Sequence, residues 1–349
     1  MLEQIGRELL PDRPLRDLGV LLNMHLTHET ASLGETLRRA GAAILFLASN
    51  RNPAPAGVLD RARACGTLCD SLDHAAEFEP RLVVEGNGRV FRDSHERPSA
   101  WPSLTAISMH TSGGGALVDA YDPSALRVSV VAVYRDRLKQ QWETGLGTAQ
   151  SVIAALLRGL QRPLAGRTTL VVGFGSVGSG VARMLRASGA RVVVAEIREE
   201  PELRARCEGF PVVSIADGLA VAELCLTATG RRGVIMRSHL AGARGEIVLA
   251  NISNEAREID LEGCVAGRRQ GPWLQAWTAG TNRVFLLGGG MQVNHVVEEG
   301  NPAELMDLSF SIHALVVAWL AENALAPGVY EVPDHIHSLV ARRYVCSLR

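Results

Sequence analysis

Three things are scarce in this sequence. Cysteine is the first: six occur in 349 residues, Cys65, Cys69, Cys207, Cys225, Cys264 and Cys346. Only Cys65 and Cys69 lie close together, at helical spacing, and no second pair completes a zinc site or a disulfide framework. Reduced, mostly buried thiols are expected, and no metal site. Charge of one sign is the second. With 36 basic and 37 acidic residues the net charge is −1, which argues against the broad basic footprint of a nucleic-acid binder. Long apolar runs are the third. The start, MLEQIGRELLPDRP, carries acids and no apolar core, unlike a signal peptide. The longest apolar stretch near the end, IHALVVAWLA, is too short to span a bilayer. A cytoplasmic protein with no membrane or nucleic-acid partner is expected.

What is present is apolar mass and alternation. Hydrophobic residues make up 47% of the chain, and its length favours two domains. Strand-like and helix-like segments alternate at first: GVLLNMHL, a helix to Gly41, AAILFLAS, a helix near AGVLDRARACG, then RLVVEGN. That order predicts a parallel sheet with helices on its faces. The Pro-, Ser- and Gly-rich VFRDSHERPSAWPSLTAISMHTSGGGA reads as a loop. TAQSVIAALLRGLQRPLAG reads as a helix closed by Pro163 and Gly166. A second α/β unit follows, with strands at TTLVVG, ARVVVAE, FPVVSI, ELCLTA, EIVLANI and RVFLLGG. The tail from Asn294 reads as mainly helical.

LLNMHLTHETA places polar groups after an apolar strand. One reading is a helix start, with Thr27 as cap and Glu29 in the first turn. The other is a substrate wall at the carboxyl end of a parallel strand. His28 is expected to face outward. His335 and His337 alternate in a polar tail without a third ligand.

GFGSVGSG is more specific. Gly173, Gly175 and Gly178 form G-x-G-x-x-G between a strand and a helix, with Ser176 and Val177 inside the loop. The glycines serve the tight turn, the approach of a pyrophosphate and close helix packing. The helix amino end then faces the phosphates. Glu196 ends the next strand, about 20 residues on, where a carboxylate accepts from the ribose hydroxyls and repels a 2′-phosphate. NAD is expected rather than NADP.

Several stretches together resemble S-adenosylhomocysteine hydrolases: NMHLTHETA, GFGSVGSG with VVVAEI, LANISNEAREID, LLGGGMQVN and GNPAELMDLSF. The resemblance implies an α/β, two-domain enzyme with a Rossmann NAD-binding domain inserted in an α/β substrate-binding domain. The segments are 1–145 for substrate, 146–293 for NAD, and 294–349 returning to the substrate domain. It implies tightly held NAD, transient oxidation of a nucleoside at C3′, removal of the C4′ proton, elimination at C5′ and regeneration of the cofactor. It also implies a homo-oligomer, a dimer or a tetramer. LVARRYVCSLR lacks the family's basic, tyrosine-containing tail that reaches a neighbouring subunit's NAD, which weakens the expectation of the standard tetramer.

Residue by residue, Thr27 and Glu29 match adenine-side contacts, and His25 matches a loop histidine near the departing group. Glu85 stands where the family has an Asp and is a candidate general base. Lys139 matches the lysine that helps deprotonate the 3′-hydroxyl, and Glu143 the position of a ribose-binding Asp. Thr111, Ser112 and Gly113 replace a threonine-rich run touching nicotinamide. Asn294 matches the Asn that holds the nicotinamide amide. Thr227, Thr229 and Ile252 lie in the strand-end loops beside NAD.

The departures are specific. His110 stands for a Glu, as a space-filling polar group or as an acid or base. Thr144 and Thr148 stand for an Asn and a Cys near nicotinamide. Asn254 and Asn301 stand for two histidines, one serving the homocysteine and water side, the other the gate and purine. Asn hydrogen-bonds but does not shuttle protons near neutral pH. The pattern therefore favours a relative that eliminates water from a different nucleoside, leaving a 4′,5′-unsaturated sugar, as in a dehydratase of the angustmycin type (psicofuranine to decoyinine). The rivals are an ordinary adenosylhomocysteine hydrolase and a catalytically inactive NAD-binding regulator.

Overall fold

The computed structural model describes residues 1–8, 11–48, 54 and 56–348; Ser49, at the end of the AAILFLAS stretch, lies outside them. The chain forms two compact units, Met1–Gln140 with the segment from Ala303 on, and Gln141–Pro302. The division falls at 140/141 and 302/303 rather than at the 145/146 and 293/294 read from the sequence.

The first unit is built on a parallel sheet. Its strands are β1 (Gly19–Asn23), β2 (Ala43–Leu47), β3 (Thr67–Cys69), β4 (Leu82–Glu85), β5 (Ala106–Met109), β6 (Ser129–Ala132) and a last one, Gly328–Tyr330. The order runs β3-β2-β1-β4-β5-β6 and then the last strand. Nearly every residue of β1, β4, β5 and β6 is buried, as expected of strands covered on both faces. The order reverses between β1 and β4, so a crevice is expected at their carboxyl ends. Register places Asn23 beside Glu85 and Glu85 beside Met109, so one row of chain ends lines that position.

The helix Ala303–Glu322 packs against β4 and β5. It extends the IHALVVAWLA stretch to 20 residues, long and apolar enough by composition to cross a membrane, but 67% of its apolar window is buried inside the protein. It is apolar nearly all round because it is a core helix.

The stretch read as a loop is largely regular. It contains a helix at Arg89–Glu96, β5, and a helix at Ser112–Asp119. Pro98 and Pro102 interrupt only a short connection. Thr111 caps the second helix, its Oγ1 accepting from Gly114 N at 3.0 Å, so SGGG opens a helix where a loop was expected.

The second unit holds β7 (Thr168–Val172), β8 (Arg191–Ala195), β9 (Leu224–Thr227), β10 (Glu246–Asn251), β11 (Val265–Arg269), β12 (Leu274–Ala279) and β13 (Asn282–Gln292). Their order is β11-β12-β13-β10-β9-β7-β8. The strand expected at FPVVSI is reduced to a single bridge, Val194 to Val212, at the sheet edge. The antiparallel pair β11 and β12 escaped the sequence reading because β11 is exposed along its whole length and has no apolar period.

Candidate active site

In the first unit Glu85 is fully buried at the end of β4. Its Oε1 accepts from Asn23 Nδ2 at 2.6 Å and Val90 N at 2.9 Å, and its Oε2 from Phe91 N at 2.8 Å. The carboxylate therefore satisfies the amino end of the helix Arg89–Glu96, whose preceding Gly88 has no side chain to do so. Burial pushes its pKa up, while the backbone donors and Asn23 pull it down; the net is upward. The Arg89 backbone N–H also acts on the carboxylate, which therefore sits among four donors.

His110 follows β5, its N–H donating to Glu85 O at 2.8 Å. Its Nδ1 lies 3.0 Å from Nε2 of His313, whose Nδ1 lies 2.7 Å from Ser108 Oγ. All three side chains are buried. Burial first, then the nearby Lys139 and His25, hold the His110 pKa well below the ordinary histidine value. Lys139 is itself buried and opens a π-helix, Lys139–Gly147, a form frequent at functional sites. Asp136 fixes the entry: Oδ1 accepts from Leu138 N at 2.8 Å, and Oδ2 pairs with His337 Nδ1 at 2.7 Å. His337, read as part of a polar tail, thus braces the turn before Lys139.

Thr27 is a helix cap, its Oγ1 accepting from Thr30 N at 3.3 Å, and Glu29 lies in that first turn. Thr30 Oγ1 donates to the carbonyl of His25 at 2.7 Å and so fixes the loop carrying that histidine. Thr27, Glu29 and His25 are all half-buried, and so is His28, which lies near Arg61 and does not point fully outward. Thr111 Oγ1 also donates to Gly86 O, joining the loops after β4 and β5, while Ser112 and Gly113 are exposed.

The second unit carries the glycine loop. Gly173 has φ +95°, a conformation L side chains rarely adopt, and a Cβ on Gly178 would lie 1.9 Å from Gly173 O. A Cβ on Gly175 would meet little, its nearest contact being Arg198 Nη2 at 3.8 Å, so the loop presents open space beside its backbone. Ser176 and Val177 begin the helix Ser176–Ala187. Glu196 accepts from Phe174 N at 2.8 Å, Ile197 N at 2.9 Å and Arg198 N at 3.0 Å. Burial raises its pKa, but these three donors and the Arg198 guanidinium together outweigh burial and the net is downward, so the group is held ionised.

Thr227 is buried at the end of β9 and Ile252 is buried after β10. Thr229 is held by Glu258, whose Oε1 accepts from its N and Oγ1, both at 2.6 Å, and whose Oε2 accepts from Ser253 Oγ. Asn294 is fully buried, and among the described residues its Oδ1 has no hydrogen-bond partner. Asn301 lies beside Asn294 and Glu143: its Oδ1 is 3.5 Å from Asn294 Nδ2, and its Nδ2 is 3.4 Å from the Glu143 carbonyl. Glu143 is buried in the π-helix, Thr144 half-buried beside it, and Asn254 exposed.

A family model for the S-adenosyl-L-homocysteine hydrolase NAD binding domain matches residues 144–294. The adenosylhomocysteinase of Sulfurisphaera tokodaii is 31% identical over 98% of this chain and 87% of that protein. The chain belongs to the adenosylhomocysteinase family. The S-inosyl-L-homocysteine hydrolase of Methanopyrus kandleri is equally similar, 31% identical over 95% of this chain and 83% of its own. Among solved structures, a dipicolinate synthase chain from Bacillus halodurans superposes with a TM-score of 0.56 at 14% identity, covering 89% of this chain and 100% of that one. That likeness shows the fold alone.

NAD is the cofactor of this family member. The residues fit it: a loop open at Gly175, a carboxylate held ionised at the end of β8, and a buried amide oxygen on Asn294 suited to an N–H donor such as a carboxamide. Asn23, Ser108, Asp136, Glu258 and His313 went unnoticed in the sequence. Each is a polar residue in an apolar surrounding, and such isolated letters carry no motif.

Proposed function

We propose that this protein is a nucleoside dehydratase of the adenosylhomocysteinase type, eliminating water across C4′ and C5′ of a nucleoside. Bound NAD supplies the reversible oxidation of the substrate at C3′. The rest falls to this chain's own side chains. Lys139 takes the 3′-hydroxyl proton. Glu85, whose burial raises its basicity, takes the C4′ proton. Activation is by the neighbouring carbonyl, which delocalises the charge left on carbon. His25 protonates the departing C5′ hydroxyl, so that water leaves. Glu143 and Asn301 bind and orient the sugar, and Thr27 and Glu29 line the base.

The observation that carries the dehydratase reading is the pair Asn254 and Asn301. Neither amide delivers a proton to or from water at neutral pH, so only His25, the acid of the elimination, is left to act on water, and the histidines that serve the water side in the resemblance are missing. Asn301 instead shares weak hydrogen bonds with Asn294 and the Glu143 backbone. A second reading is hydrolysis of a nucleosidyl-homocysteine. It is supported by relatives named for two different bases, adenosyl and inosyl, at the same identity. The test is to incubate the NAD-loaded protein with a panel of nucleosides and follow products by mass spectrometry. Loss of one water from a nucleoside is expected. Thiol release from S-adenosylhomocysteine with no dehydrated product from the panel would replace this reading by the second.

A further inference from the structure

Ser108, His313 and His110 form a chain that no sequence motif announced. The hydroxyl of Ser108 lies 2.7 Å from His313 Nδ1, and His313 Nε2 lies 3.0 Å from His110 Nδ1. Two proton arrangements fit those distances. In one, Ser108 donates to His313, His313 donates from Nε2 to His110 Nδ1, and His110 carries its proton on Nε2. In the other every bond reverses and His110 Nε2 is a bare acceptor.

Ser108 decides between them. It is 1% exposed, and among the described residues His313 is its only side-chain hydrogen-bond partner. If Ser108 accepted from His313, its own O–H would be buried with no acceptor and would bear the full cost of desolvation. If it donates, no proton is stranded. The first arrangement therefore holds, and its direction passes along the chain to His110.

We propose that Ser108 and His313 are positioning residues that hold His110 as a neutral imidazole with its proton on Nε2, a fixed donor for the sugar oxygen that gains charge when the adjacent C–H is deprotonated. The proton stays on Nε2 throughout; no bond forms or breaks at His110. Burial and the nearby Lys139 and His25 oppose a second proton on the ring. Phe310, with its ring centroid 5.6 Å from that of His110, packs against it. A preorganised neutral donor stabilises developing oxyanion charge without reorganisation. A glutamate at this position, as in the resemblance, would be an acceptor when ionised. The catalytic part of the proposal rests on the function proposed above; the proton arrangement does not.

The test uses NAD-loaded protein labelled with ¹⁵N-histidine at pH 7, with His110 signals assigned by their loss in His110→Asn. Nitrogen NMR distinguishes protonated from bare ring nitrogens. Protonated Nε2 and bare Nδ1 are expected for both His110 and His313. A proton on His110 Nδ1, or a doubly protonated ring, overturns the proposal. Two variants test the consequence. His313→Gln still offers an N–H to His110 and should keep both partial reactions within about threefold of the parent. His313→Glu offers only an acceptor, so it should move the His110 proton to Nδ1. It should slow exchange of the substrate C4′ hydrogen about 100-fold, the scale of losing one oxyanion donor, while slowing reduction of bound NAD far less. Equal loss of both steps, or of neither, overturns the proposal. If no nucleoside reduces the bound NAD of the parent protein, the function proposed above fails, and the tautomer measurement alone then decides the arrangement.

Discussion

Asn23 and Glu85 face each other in register across β1 and β4, and the amide of Asn23 donates to the Glu85 carboxylate at 2.6 Å. This contact joins the end of the first strand to the amino end of the helix Arg89–Glu96. Its consequence for stability has a definite sign. Burial raises the Glu85 pKa in the folded protein, so between the ordinary carboxylate value, about 4.3, and its raised value the folded state binds more protons than the unfolded one. The stability Glu85 contributes is fully present below the ordinary value and declines as pH rises through the raised one. Glu85→Gln removes that titration. Its melting temperature, followed from about pH 5 to 8, should fall less with rising pH than the parent's. A parallel or steeper decline in the variant would contradict the assignment.

Glu196 is held ionised by three backbone donors and the Arg198 guanidinium at the end of β8. If Glu196 accepts from the ribose hydroxyls as proposed, Glu196→Ala should weaken NAD binding by about 1–3 kcal/mol. Titration calorimetry on protein stripped of cofactor measures it. An unchanged affinity would mean that the ribose lies elsewhere.

Gly178→Ala tests the loop more severely. The added methyl would sit 1.9 Å from the Gly173 carbonyl, so the helix Ser176–Ala187 must move away from β7. Overpacking of this kind costs about 1–3 kcal/mol or more. Cofactor retention should be lost together with a lowered melting temperature, and a variant that copurifies with NAD would show that the loop relaxes.

The glycine loop and the acidic strand end were legible in the sequence because both are local: spacing along the chain fixes their geometry. The parallel order of the first sheet was legible from alternation, since βαβ units admit few topologies. The chain from Ser108 to His110 was not legible. Its middle member, His313, lies some two hundred positions away on a helix whose apolar composition reads only as core. Glu85 was picked out only by the resemblance, and its place as a helix cap was not legible, because the helix it satisfies lies in a stretch rich in breakers. Asn301 matched a gate histidine by position, yet it lies with Asn294 and Glu143, and that neighbourhood depends on a turn no local pattern encodes.

Lys139 is buried at the head of the π-helix, with Asp136 holding the preceding turn. In the proposed reaction it takes the 3′-hydroxyl proton. Lys139→Ala should leave NAD bound, since the glycine loop and Glu196 are untouched, and should abolish formation of dehydrated nucleoside. Absorbance of the bound cofactor on mixing with substrate reads the first step directly. A variant that turns over at a near-normal rate would remove Lys139 from the mechanism.

Isotope exchange tests the chemistry itself. Once C3′ is oxidised, the C4′ hydrogen lies next to a carbonyl and becomes acidic; without that oxidation it does not exchange. In deuterium oxide, recovered substrate should carry deuterium at C4′ wherever its removal is reversible, and NADH should not accumulate over many turnovers because the hydride returns to the sugar. The product should be one water lighter and should form without any thiol. The two asparagines make the prediction specific to this chain: with Asn254 and Asn301 both changed to His, further general bases for water are supplied, and deuterium oxide should add faster across the 4′,5′ double bond of the isolated product. The parent, with His25 alone, should catalyse that addition more slowly. Recovered substrate free of deuterium, together with a product of unchanged mass, would reject both the oxidation at C3′ and the elimination that depends on it.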